Sequence, residues 1–134
     1  MQSAYWPEAT DDHGVFVGNA HEFATLCMTS HLPWRSTSHC IFNHSIVLDP
    51  DGLHARGELY NVTWLFKDDA EALDTWHGRY LDVYEKRGEE WRILERVCVH
   101  EGTHSGVIQK MGIDAPQFRQ GSFDRPSTGR VVGP

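Results

Sequence analysis

Two carboxylates and an imidazole stand side by side at Asp11-Asp12-His13, just ahead of Gly14, in a chain that carries nine histidines. Three chemistries fit such a run: a metal site, an acid/base pair, or a polar turn. Neighbouring residues on a strand point to opposite faces, so Asp11 and Asp12 cannot both turn inward. They therefore make a poor clamp for a metal. His39 and His44 fall on opposite faces of one strand by the same rule, and His100 and His104 straddle a strand end. Neither HExxH nor a two-histidine, one-carboxylate spacing is present, so neither metal nor cofactor is expected. A turn that satisfies local backbone groups is the plain reading of Asp11-Asp12-His13-Gly14. Asp12 is retained as a carboxylate that could orient a catalytic histidine.

His39 is the candidate for that histidine. A neutral imidazole with an ordinary pKa near 6.5 can take up a proton at neutral pH. A positioned group of this kind accelerates a reaction by about 10²- to 10⁴-fold. The alternative is a half-buried strand histidine bonded to backbone. Alternation places Asn43 and Ser45 on the face of His39. Arg96 shares a face with Arg92, Leu94, Cys98 and His100. By position alone it reads as a surface or cross-strand ion pair. Tyr80, Asp82 and Tyr84 share another face; Tyr80 and Asp82 could hydrogen-bond a substrate, or Asp82 could pair with Arg96. Tyr60 and Trp64 would line a wall by their size, with core packing as the alternative. GxSxG, Walker and GxGxxG sequences are absent, and Cys27 and Cys40 have no placed base.

The elements that must position these groups follow from periodicity. Asn19 can cap a helix, with Glu22 at the capping-box spacing. Phe23, Leu26, Cys27 and Ser30 then trace one helical face, which predicts a helix over about Ala20–Ser30. From Ser36 the period becomes two. Strands are expected over Thr37–Leu48, Leu53–Phe66, Thr75–Arg87 and Trp91–Glu101, with Asp49-Pro50-Asp51-Gly52 as a hairpin turn. Lys67–Asp74 reads as a polar connection. Four strands joined mostly by hairpins make an antiparallel meander with apolar residues on both faces. One face should be covered by helices and the other by a partner chain. The class is α+β, with residues 1–102 as the domain and 103–134 as an irregular extension.

Composition narrows the function. A chain of 134 residues suits one domain. A net charge of −7 argues against nucleic acid and anionic membranes as partners. No apolar run approaches the roughly 20 residues needed to span a bilayer. Residues 1–12 lack a basic and then an apolar segment, so no signal peptide is expected. Three cysteines without a CxxC fit free thiols in a reducing, cytoplasmic setting.

YWPEATDDHGVFVG, then STSHCIFNHSIVLDPDGLHARGE, then GRYLDVYEKRGEEWRILERVCVHE together resemble the SnoaL-like family of the NTF2-like superfamily. The likeness runs from about Tyr5 to Glu101, and FRQGSFDRP resembles that family's C-terminal extension. The resemblance implies a cone-like curved sheet, an α+β barrel wrapped on helices and enclosing a pocket. It implies a homo-oligomer, dimer or trimer. Members include polyketide cyclases, scytalone dehydratases, a dehydrochlorinase and non-catalytic dioxygenase subunits, so the fold leaves function open. No counterpart of the family's first helix, whose Tyr and Asp pair with the strand histidine in the dehydratases, is expected here. The N-terminal helix pair is expected to be shortened, with Asp12 or Asp82 taking over the carboxylate's part. The resemblance thus implies a cofactor-independent lyase or isomerase acting on a small, mostly apolar cyclic molecule. His39 would move the proton and Arg96 would bind or polarise the substrate. The alternative is a non-catalytic ligand-binding or assembly module.

Overall fold

Alternating apolar and polar residues become four long strands. The computed structural model describes residues 1–67 and 72–108. A short 3₁₀ turn (Gln2–Ala4) leads into β1 (Tyr5–Asp12), β2 (Val17–Asn19) and α1 (Ala20–Ser30). β3 (Trp34–Leu48), β4 (His54–Lys67), β5 (Ala72–Arg87) and β6 (Glu90–Val107) follow. The sheet is strongly curved and unclosed, with strand order β2-β1-β6-β5-β4-β3.

Three differences from the sequence expectation matter. The sheet is mixed, because β1 runs parallel to β6 and sets Asp11 beside Arg96. β6 continues to Val107 and pairs with the start of β5, so regular structure reaches past the expected end of the domain. The rest of the expected extension, residues 109–134, and the middle of the Lys67–Asp74 connection lie outside the described residues. The expected cover is also lighter. Helix α1 packs chiefly on β1 and β2. At the far edge β3 leaves Ile41, Phe42, Ile46, Val47 and Leu48 exposed.

Helix α1 starts where the capping residue dictates. The Asn19 side chain accepts hydrogen bonds from the backbone N–H groups of His21 (2.9 Å) and Glu22 (3.3 Å). Its amide also donates to the Pro7 carbonyl at 2.8 Å, which ties the helix start to β1. Fully buried Ala9 and Ala20 let helix and strand approach closely. Phe23 and Ala24 complete the buried face, whereas Leu26, expected on it, is exposed. The core lies at this end: Tyr5, Trp6, Ala9, Ala20 and Ile93, with Tyr84 and Leu94 packed against it.

Bulges interrupt the strands' alternation. The β3–β4 register slips between Phe42 and Ser45, where Asn43 has a positive φ of 42°. Asparagine tolerates that left-handed conformation better than most residues. Beyond it the inner face passes to His44, whose Nε2 meets the Tyr84 hydroxyl at 3.1 Å. His44 therefore shares the His39 face, contrary to strict alternation, and Asn43 drops out of that row. A second slip at Leu94 places Ile93, rather than Leu94, in the row of Arg96. A third slip sits opposite Gly78. There a methyl group would collide with the Trp76 ring and with the Val99 carbonyl. The carbonyl cannot swing away. Gly78→Ala is expected to lower stability by about 1–3 kcal/mol, read as a lower urea midpoint with altered tryptophan fluorescence.

Candidate active site

The inner face of the sheet gathers Asp11 and His13 from β1 and its exit, Arg96 and Cys98 from β6, and Tyr80, Asp82 and Tyr84 from β5. Asn61 and Thr63 come from β4, and His39 from β3. Asp11, Asn61, Thr63, Tyr80 and Asp82 are all buried. Each of these side chains has a hydrogen-bond partner, as buried polar groups generally require.

Asp11 has no exposed surface. Its Oδ2 accepts from the Tyr5 hydroxyl at 2.8 Å, and its Oδ1 meets His13 Nδ1. Burial, with the Asp11 charge beside it, pushes the Tyr5 phenol well above its usual range, so Tyr5 remains a donor. The His13 ring stacks on Phe23 with centroids 4.1 Å apart and lies 5.7 Å from the Tyr80 ring. Strand alternation turns the next carboxylate away. Asp12 Oδ1 instead accepts from the Gly14 N–H at 2.8 Å. The carboxylate on the inner face is thus Asp11, and its imidazole is His13.

His39 has a different partner. Its Nδ1 lies 3.2 Å from Thr63 Oγ1, directly across the β3–β4 pair. From Thr63 the chain of hydrogen bonds continues to Asn61, whose amide donates to the Tyr80 hydroxyl at 2.6 Å. No carboxylate reaches the His39 ring among the described residues. Much of that residue's surface is open. Even so, burial of its inner side and the neighbouring His31 and His13 hold its pKa below the usual value. His31 stacks beside it at 5.9 Å, and its own pKa is lowered by burial.

Arg96 takes the ion-pair role. Its Nε and Nη2 donate to the two oxygens of Asp82 at 2.7 and 2.6 Å. Tyr84 donates to the same carboxylate at 2.8 Å. The guanidinium sits 4.1 Å from the centre of the Tyr80 ring and 5.7 Å from that of Tyr5. Burial opposes its charge, but Asp82 outweighs burial and holds the pKa above its usual value. Burial also raises the Tyr80 hydroxyl to about 12, which keeps it protonated. Cys98 is pushed up to about 11 by burial and then by the Asp11 charge, which makes it an inert thiol at neutral pH.

Tyr60 and Trp64, chosen by size, stand on the outer face. They are 46% and 38% exposed, against 1% for Asn61 and 4% for Thr63 between them. Tyr60 lies under Arg79, which pairs with Glu58 and Glu101. The inner wall of β4 is therefore its small polar row, and parity alone would have found Asn61 and Thr63. His31 and Phe23 gave no such signal, since each reaches the site only through the placement of α1. Two shallow depressions, of ≈ 290 and ≈ 320 Å³, lie around Trp76 and His104 and around Tyr60 and Glu101. Neither is lined by His13 or His39.

Two outcomes follow. Asp82→Ala strands the buried Arg96 charge and should cost about 3–5 kcal/mol in urea unfolding. Glu101→Gln, at an outer pair, should cost no more than about 1 kcal/mol. The second concerns pH. His31 and His39 bind protons less readily folded than unfolded, since their folded pKa values are depressed. Above about pH 6.5 both rings are neutral in either state, and nothing is lost. As pH falls below that value the unfolded chain gains protons first, and stability drops. Replacing both residues by Gln should flatten the decline of the melting temperature between pH 7 and pH 5.

Structures similar to this chain include a protein assigned as a scytalone dehydratase from Novosphingobium aromaticivorans, with a TM-score of 0.67 and 14% identity over 76% of this chain and 69% of that one. The Kfla4162 protein from Kribbella flavida gives 0.66 and 12% over 77% and 76%. The LinA-type3 hexachlorocyclohexane dehydrochlorinase from Novosphingobium barchaimii gives 0.63 and 15% over 77% and 72%. At such identities the likeness establishes the fold, an NTF2-like α+β cone. Among curated proteins none matches. The SnoaL-like domain matches residues 1–97. The chain therefore belongs to the SnoaL-like domain family.

Proposed function

We propose that the chain is a cofactor-independent lyase or isomerase. It would move a proton on a small, mostly apolar, cyclic molecule lying on the concave face. One observation carries this reading. Three imidazoles, His13, His31 and His39, border a floor of buried neutral hydrogen-bonding groups, Tyr80, Asn61 and Thr63. Such a floor can hold an uncharged ligand by its oxygens. Imidazole is the side chain most often used to move a proton at neutral pH. Arg96 serves this site as the partner of Asp82, which takes its Nε and one Nη2 donor, and as the cation on the Tyr80 ring. The names of two structural neighbours agree in kind: one denotes loss of water, the other loss of hydrogen chloride. Each loss removes a proton beside a leaving group.

A second reading is a non-catalytic ligand-binding or assembly module. The exposed apolar row on β3 favours it, since an edge of this kind is usually covered. A second copy, in a dimer or trimer, would supply that cover.

A panel of cyclic hydroxy-ketones in deuterated water separates the two. Product formation or deuterium uptake with the wild type, lost in the His13→Gln/His39→Gln double variant, supports the enzyme. Equal binding by both proteins with no chemistry in either supports the module.

A further inference from the structure

We propose that the proton-transferring residue is His13, held by Asp11 and Tyr5, and that His39 instead contacts the ligand as a polar neighbour. The assignment rests on the proton-transfer reading above and names its base.

An ionised carboxylate only accepts hydrogen bonds. Asp11 is fully buried, and the Tyr5 hydroxyl occupies its Oδ2, so Oδ1 is left to His13 Nδ1. Nδ1 must therefore carry the proton, and Nε2 presents its lone pair. Among the described residues no hydrogen bond engages that Nε2. The ring is clamped against Phe23 at 25° to its plane, and its other neighbour is Tyr80. Orientation, tautomer and a free lone pair are the three properties a general base needs.

His39 has none of the three secured. Thr63 Oγ1 can donate to its Nδ1 or accept from it, so either tautomer fits. No carboxylate stands behind its ring to stabilise an imidazolium, and His31 and His13 face it. Charging His39 in mid-reaction would be opposed. Charging His13 would be met by Asp11.

The step balances simply. Nε2 of His13 takes the proton from a substrate carbon, and that C–H electron pair becomes the new C=C bond. In an elimination the neighbouring C–O bond breaks with its electrons, and the departing hydroxide takes the proton back as water. In an isomerisation of an enone the carbonyl π pair moves onto its oxygen as the new C=C forms; the pair returns to re-form C=O as the conjugated C=C shifts and its far carbon takes the proton from His13. Tyr80, protonated and placed beside His13, donates to the substrate oxygen. Asp11 and Tyr5 are positioning residues, since they act only through His13.

The test combines kinetics with nitrogen NMR on the whole chain. Where the wild type processes the hydroxy-ketone panel, His13→Gln should lower the rate at least about 100-fold more than His39→Gln does. Asp11→Asn should lower kcat by about 10²- to 10⁴-fold and shift the pH profile. The larger loss at His39→Gln would overturn the assignment. Histidine ring nitrogens of the wild type should show His13 as the Nδ1–H tautomer, independently of any variant's folding. An Nε2–H tautomer there would also overturn it. Where the wild type processes nothing, 2-naphthol serves as an enolate mimic. A shift of the His13 Nε2 resonance on titration supports the assignment, while a shift confined to His39, or none, rejects it. Loss of turnover thus speaks to the enzyme reading, and the imidazole resonances speak to His13.

Discussion

A buried guanidinium organises the inner face. Arg96 comes from the strand that β1 must pair with, and its charge costs several kcal/mol to bury unless it is matched. Asp82 matches it through both oxygens, and the aromatic faces of Tyr80 and Tyr5 flank it. That one requirement commits β1, β5 and β6 to a common register. It also consumes the strongest cation and one carboxylate of the site. What is left for chemistry is a second carboxylate, Asp11, and the imidazoles. The site is therefore nearly neutral at its floor, which suits a ligand bound by shape and a few oxygens rather than by charge.

The placement of Asp11 shows how a strand can deliver a dyad without a helix. Asp11 and His13 are two residues apart, the repeat that returns a side chain to the same face of a strand. β1 ends at Asp12, and the turn that follows is closed by the bond from the Gly14 N–H to Asp12. The two adjacent carboxylates thus have separate duties. Asp12 builds the turn, and Asp11 holds the ring that the turn presents. A polar turn and an acid/base pair looked like rival readings of Asp11-Asp12-His13. The geometry has room for both: the turn closes on Asp12, and Asp11 meets the His13 ring.

Much of this was legible in the chain. The helix over Ala20–Ser30 followed from Asn19 and the apolar spacing, and period two located the four long strands. The pairing of Asp82 with Arg96 was among the readings their strand positions allowed. What was not legible were the interruptions. A bulge at Asn43 or Leu94 adds one residue, and each later side chain changes face. Nothing local in Phe42-Asn43-His44 announces this, because an asparagine suits a strand's turn-like kink and an ordinary exposed position alike. Size also misled: Tyr60 and Trp64 outweigh Asn61 and Thr63 in bulk, yet the smaller pair is the buried one. Long-range pairing was equally silent. That β1 would lie parallel to β6 depends on contacts between the two ends of the domain, such as Asp11 with Arg96.

The openness of the sheet bears on what the site can be. Proton transfer from carbon gains from a dry surrounding, since water competes for every hydrogen bond and weakens each electrostatic contact. The Asp11–His13 side already meets that demand: α1 and Phe23 roof it, and the carboxylate has no exposed surface. The His39 side does not, for β3 is an edge strand under no helix of the described residues. An asymmetric site of this kind separates two tasks that a closed cone would merge. On the proposed reading, chemistry would fall at the roofed end, where an imidazolium at His13 would have Asp11 as its counter-charge. Ligand entry and selection would fall at the open end, where burial holds the pKa values of His31 and His39 below their usual value. Any cover supplied to β3 would then change which molecules enter more than how fast the proton moves.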